Sequence, residues 1–199
     1  MATKTSIYNM ALTHVGAKQL ISNLDTDTGT EAKAGRVFWD LALEFVLSDV
    51  DWGFARTRVT LALLAETAPV DWTYVYTYPN DCVKAREIFD GARRTRRLRI
   101  PFEVSLNADG TLKTIMADQE DAKLRYTRNI TDPNLFPPSF SVLMSYYMAY
   151  LIAYPLTKKA SIRDNQLKDY KAHKLSAEVA NAEEEEWDEN PEGEFIAGR

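Results

Sequence analysis

The 199-residue sequence has one cysteine, Cys82, and two histidines, His14 and His173. A single thiol excludes an internal disulfide framework and any multi-cysteine zinc site. Two histidines leave no His-rich metal centre. No apolar run approaches the roughly 20 residues of a membrane-spanning helix, so no membrane partner is expected. Met1-Ala2-Thr3-Lys4-Thr5-Ser6 leads into a polar-punctuated segment, not the unbroken apolar stretch of a secretion signal. Also missing are G-x-x-x-x-G-K-[ST], G-x-S-x-G and H-E-x-x-H, the patterns of phosphate loops, hydrolase elbows and zinc peptidases. Asp25-Thr26-Asp27 resembles a fragment of a calcium loop but lacks the glycine and glutamate at the needed offsets. Asp49 and Asp51 are spaced for acid–base work, yet a helix end beside Trp52-Gly53 is a commoner home for such a pair. Cys82 follows a turn and is expected as a small core residue. The expectation is a protein with no catalytic residues, no cofactor and no metal.

What is present is ordinary for a globular chain: 45% hydrophobic and 27% charged residues. Charge is unevenly placed. Residues 178–199 hold nine acids against Arg199, so they carry −8 while residues 1–177 carry +3, for a net −5. Gly91 to Arg99 holds Arg93, Arg94, Arg96, Arg97 and Arg99 with no acid. Blocks of one sign mark solvated or interacting segments. The acids argue against simple nucleic-acid binding, because they repel phosphate or compete for the arginines.

Periodicity divides the chain. A first helix is expected over Ser6–Val15, capped by Thr5 or Ser6 and stopped by Gly16. A second, of about 24 residues and about 36 Å, begins at a Thr28–Glu31 capping box. Its core stripe is read as Ala34, Val37, Phe38, Leu41, Phe45 and Val46, widened by Trp39, Leu43, Leu47 and Val50. Residues 54–128 switch to alternation, with about six short strands. These run through Val59–Leu63, Tyr74–Tyr78, Val83–Phe89, Leu98–Val104, Leu112–Met116 and Leu124–Tyr126. Asn107-Ala108-Asp109-Gly110 reads as a hairpin turn. A third helix follows Pro137-Pro138, apolar nearly all round, and bends or ends at Pro155. The fourth starts near a Ser161–Asp164 capping box and runs to about Trp187. Its thin apolar face is read as Leu167, Tyr170, Ala172, Leu175, Val179 and Ala182. The fold class is α+β: a four-helix bundle from residues 1–53 and 137–189, an inserted antiparallel β domain at 54–136, and an extended C-terminal tail at 190–199.

Five stretches resemble a known family. They are Tyr8-Asn9-Met10-Ala11-Leu12 with Val15-Gly16; Ile21-Ser22 with Asp25 and Glu31-Ala32; Trp72-x-Tyr74-x-Tyr76-x-Tyr78-Pro79-x-Asp81-Cys82; Leu124-Arg125-Tyr126 with Asp132-Pro133 and Phe136-Pro137-Pro138-x-Phe140; and Leu151-Ile152-Ala153-Tyr154-Pro155-Leu156-Thr157. In order and spacing they resemble the head-to-tail adaptors of short-tailed bacteriophages, the tail tubular protein A-like family. Tyr78 stands where that family would have leucine, and the Arg93–Arg99 run is not a family feature.

The resemblance implies a structural ring of about twelve copies. The ring sits under the portal protein, extends the channel for duplex DNA without binding it specifically, and offers a platform to the tail nozzle protein. It implies a place in the virion after assembly in the bacterial host cytoplasm. Trp187, Phe195, Ile196 and Arg199 are then the expected portal-binding residues. Arg93, Arg94, Arg96, Arg97, Arg99, Trp39 and Tyr147 are expected at a subunit or nozzle interface. Two other readings are a head-completion adaptor of a long-tailed phage and a cytoplasmic DNA-binding protein using Arg93–Arg99. In the latter, Tyr74, Tyr76 and Tyr78 would stack on bases.

Overall fold

A computed structural model describes residues 2–90 and 100–184. The chain is mixed helix and sheet, and these residues form two compact units, 2–55 with 129–184 and 56–128. The unit boundaries fall after Ala55 and Arg128, rather than at 53/54 and 136/137. Phe54 and Phe136 explain the difference: both belong to an aromatic cluster with Trp52 and Phe140, at centroid separations of 4.7–6.0 Å.

The first unit holds four helices: α1 (Lys4–His14), α2 (Thr30–Asp49), α3 (Pro138–Thr157) and α4 (Ala160–Glu183). Thr3 caps α1, exchanging hydrogen bonds with Ser6, so the helix starts two residues before the expected Ser6. It ends at Gly16, whose φ of +71° suits glycine. Gly16 N–H donates to Thr13 O and Ala17 N–H to Leu12 O, a Schellman closure. The connector is held down by side chains. The Asn9 amide bonds both backbone groups of Ile21, and the Arg36 guanidinium donates to Leu24 O and Asp27 O.

The sequence places the start and face of α2 differently from the structure. Gly29, not Thr28, occupies the cap, without a side-chain bond. The buried face is Ala32, Gly35, Trp39, Ala42, Leu43, Val46 and Leu47, while Val37, Leu41 and Phe45 are exposed. Small residues turn inward because α1 lies close: the Tyr8 hydroxyl donates to Glu31 O at 2.6 Å. Helix α3 opens on Pro138 and ends at Thr157, two residues beyond Pro155, with left-handed Lys158 as its cap. It packs against α1, α2 and α4. That central position accounts for its nearly all-round apolar surface.

Helix α4 begins one residue before Ser161, with Lys159 at its cap and no side-chain cap bond. Asp164 pairs with Arg163 instead of capping. Its buried residues are Gln166, Tyr170 and Ala177, whereas Leu175 and Val179 are 67% and 52% exposed. The described helix ends at Glu183, and Trp187 and the 190–199 tail lie outside the described residues.

The second unit has β1 (Arg56–Thr60), β2 (Tyr74–Thr77), β3 (Cys82–Phe89), β4 (Phe102–Leu106), β5 (Lys113–Ala117) and β6 (Lys123–Arg128). They form two antiparallel three-stranded sheets, β1-β6-β3 and β2-β5-β4. First and last strands pair, Arg56 with Thr127 through Thr60 with Lys123, so the segment leaves and returns at one place. Single bridges, Leu63 with Tyr76 and Ile88 with Ile100, join the sheets at two corners. Leu61, Tyr76, Ile88, Ile115, Ala117, Ala122, Leu124 and Tyr126 fill the shared core. The 107–110 turn holds: Asn107 Oδ1 accepts from Thr111 and Leu112 N–H, and Gly110 has φ +69°.

Gly35 gives a test of the α1–α2 approach. A Cβ there would stand 2.6 Å from both Leu24 Cδ1 and Tyr8 Cζ, and both side chains are fully buried. An ordinary helical Gly→Ala change stabilises by about 1 kcal/mol. Gly35→Ala is instead expected to destabilise by about 1–3 kcal/mol in urea unfolding.

Candidate interaction surfaces

Two apolar stripes stand on the helical unit. On α2, Val37, Leu41 and Phe45 recur every four residues and are 72%, 58% and 40% exposed. At 100° per residue they lie roughly opposite the buried Trp39–Val46 face. Phe45 stacks on Tyr147 at 4.2 Å and 6°, and Tyr147 lies 5.1 Å from Tyr170 and 5.8 Å from Tyr150. The stripe thus continues into a half-buried aromatic patch. On α4, Val179 is nine residues from the buried Tyr170, half a turn away. It makes, with Leu175, a second stripe on the flank turned from α2.

The residues expected at sites from the sequence fare unevenly. Tyr147 is half-buried at the edge of the α2 stripe. Trp39 is corrected: it is 2% exposed in the core of its own helical unit, with the Lys4 ammonium 5.5 Å from its ring, and offers no surface to a neighbour. Arg93, Arg94, Arg96, Arg97, Arg99, Trp187, Phe195, Ile196 and Arg199 lie outside the described residues. Sequence reasoning misplaced the exposed stripes because it assigned Val37, Leu41, Phe45, Leu175 and Val179 to the core. The available signal was a helix apolar on more than one side.

The candidate chemical groups are engaged in structure. Asp49, at the C-terminal end of α2, accepts from the Tyr170 hydroxyl at 2.6 Å and the Lys174 ammonium at 2.8 Å. A carboxylate there opposes the helix dipole, and the cation from α4 offsets it. Burial, then the bond to Asp49, pushes the Tyr170 hydroxyl well above the usual phenol range, so it remains a donor. Asn181 bridges Gly53 N–H and Asp51 O.

Tyr146 lies between the two histidines, 4.1 Å from His14 and 4.4 Å from His173, nearly parallel to both. Ser145 gives its hydroxyl proton to Val142 O, so it accepts from His14 Nε2 at 3.1 Å. Burial lowers the His14 pKa. Asp169 opposes that shift, and His173 adds to it.

In the strand unit, Asp81 of the Pro79–Cys82 turn accepts from the Tyr126 hydroxyl at 2.9 Å and pairs with Arg128 at 2.8 Å. Tyr76 is 2% exposed with its hydroxyl on Gln119 O, and Tyr74 packs against the same core. Tyr76 therefore has no face to give a base, and Tyr78 is half-buried beneath the Lys113 ammonium at 5.5 Å. Cys82 packs beside the core. It borders a recess of about 250 Å³ with Tyr78, Pro79 and Lys113. Burial pushes its thiol up to about 11. Among the described residues no helix is long and apolar enough to cross a membrane, and no group of three or more His, Cys, Asp or Glu is placed to hold a metal ion. Comparison with protein-family models and with curated proteins finds no match.

Two outcomes are expected. A depressed His14 pKa means the folded state prefers the neutral ring. The resulting stability is complete above the ordinary imidazole range and is lost as pH falls through it. Between about pH 7.5 and about pH 5.5 the urea midpoint should fall more in wild type than in His14→Gln; equal falls would remove His14 as the cause. At neutral pH, Cys82 alkylation by iodoacetamide should run about a hundredfold slower than for a free thiol, since the thiolate is the nucleophile.

Proposed function

We propose that this chain is a structural head-to-tail adaptor of a short-tailed bacteriophage. Its four helices act as a bundle, and the β domain is inserted in the chain between the second and third of them. Copies associate in a ring of about twelve under the portal, extend the DNA channel and present a platform to the tail nozzle. The role is assembly without catalysis. The observation that carries this reading is the pair of separate apolar stripes, Val37-Leu41-Phe45 and Leu175-Val179. A ring subunit must bury surface against two neighbours, one on each flank, and a monomer has no use for two. The ordered family-like motifs between residues 7 and 157 supply the identity of the ring. In this reading Trp187, Phe195, Ile196 and Arg199 engage the portal, and Arg93–Arg99 meets acids of a neighbour, the portal or the nozzle.

The family-like core is shared with head-completion adaptors of long-tailed phages, and the portal that captures the chain separates the two. The DNA-binding alternative would use the Arg93–Arg99 run, which lies outside the described residues. Steep salt-dependent binding of duplex DNA by the isolated protein would support it.

The test is mass by light scattering, on the protein alone and mixed with its portal ring. A discrete large species in either sample is expected. Val37→Glu with Leu41→Glu should abolish it while leaving the helical circular dichroism intact. Persistent wild-type monomer in both samples would overturn the ring.

A further inference from the structure

The two apolar stripes of the helical unit carry opposite charge beside them. On α2, Asp40 and Glu44 follow the stripe residues Val37 and Leu41 by three positions each, so both acids line one edge of that stripe. On α4, Lys168 and Lys171 lie on the two turns before Leu175 and on its side of the helix. All four charged residues are exposed. Among the described residues none of the four takes an ion pair or a side-chain hydrogen bond. Glu178, the acid next to Val179, is instead held by Lys174 at 3.8 Å.

The spacing of the stripes matches as well. Val37 and Leu41 are one turn apart, and so are Leu175 and Val179. Laid antiparallel, Val37 meets Val179 and Leu41 meets Leu175. Glu44 then comes to the level of Lys171, and Lys33, a turn before Val37, falls at the end of α4 that carries Glu183. Laid parallel, Asp40 and Glu44 would instead meet the Glu178–Glu183 end. Two α2 stripes placed together would set Asp40 and Glu44 of one copy against the same acids of the other, and like charges across a contact disfavour it.

We propose that the Val37-Leu41-Phe45 face of α2 docks, antiparallel, on the Leu175-Val179 face of α4 in a second copy of this chain. The contact joins unlike patches, so each copy offers one patch to the neighbour on one side and the other patch to the neighbour on the other. Such a contact repeats from copy to copy and closes into a ring when the rotation allows. The inference rests on the reading of the chain as a ring subunit and names which flank meets which.

The probe is a zero-length carbodiimide, which couples a carboxylate to an amine only when the two touch. Unlabelled and heavy-nitrogen-labelled chains are mixed in equal amounts, with and without the portal ring, coupled, digested and weighed. A Glu44–Lys171 link between peptides of different isotope is expected, which places the bond between copies. Leu175→Glu with Val179→Glu keeps both reactive groups on exposed positions and should lower the yield of that link about tenfold, because it buries unpaired charge. Val37→Glu with Leu41→Glu should do the same. These two variants mixed together should restore the link, since one keeps its α2 face and the other its α4 face, and should give a pair that grows no further. An α4 variant that still associates alone would assign the contact to two α2 faces, and an α2 variant that still associates alone would assign it to two α4 faces; either overturns the proposal. Capture of wild type by the portal without the mixed-isotope link would overturn this contact and leave the adaptor reading standing. The link without capture by the portal would keep the contact and remove the adaptor.

Discussion

The helical unit depends on the closure of its own gap. Its chain leaves after Ala55 and resumes at Asn129, so the halves are far apart in sequence and must be joined by contacts. Trp52, Phe54, Phe136 and Phe140 make that junction with edge-on rings, each pair adding about 0.5–1.5 kcal/mol beyond the area it buries. Trp52 is fully buried, and its indole N–H donates to Val46 O at 2.9 Å. It therefore also ties the chain beyond α2 back to the last turn of that helix. The aromatic cluster fixes where α2 ends, where α3 starts and hence how α3 meets the other helices.

The strand unit solves the corresponding problem with backbone bonds. Pairing of β1 with β6 holds its first and last strands together. The Pro79–Cys82 turn is clamped to β6 by Asp81 through Tyr126 and Arg128. A segment whose ends meet can be accommodated between two helices without disturbing their packing, because the closure entropy grows only slowly with its length.

Much of this order is legible in the sequence: the period change near residue 54, six strands, the proline start of α3 and the glycine stop of α1. What is not legible is which of two apolar faces turns inward. On α2, Val37, Leu41 and Phe45 are larger and more apolar than Ala32, Gly35 and Ala42, so a hydropathy stripe selects them. Close approach of Tyr8 to Gly35 reverses the choice, since only small residues allow that helix pair to meet. On α4, Gln166 is buried because its amide donates to His14 O, while Leu175 is not. The cap residues failed for a similar reason: left-handed Lys158 lets α4 start before its Ser161 signal.

The two units carry surfaces of different physics. The helical unit offers apolar stripes, whose burial is little affected by salt and weakens on cooling. The strand unit carries ion pairs such as Arg125 with Glu87 at 2.9 Å and Arg128 with Asp81 at 2.8 Å, and charge contacts of this kind are screened within about 8 Å at physiological ionic strength. Contacts through the first surface persist under conditions that dissolve contacts through the second.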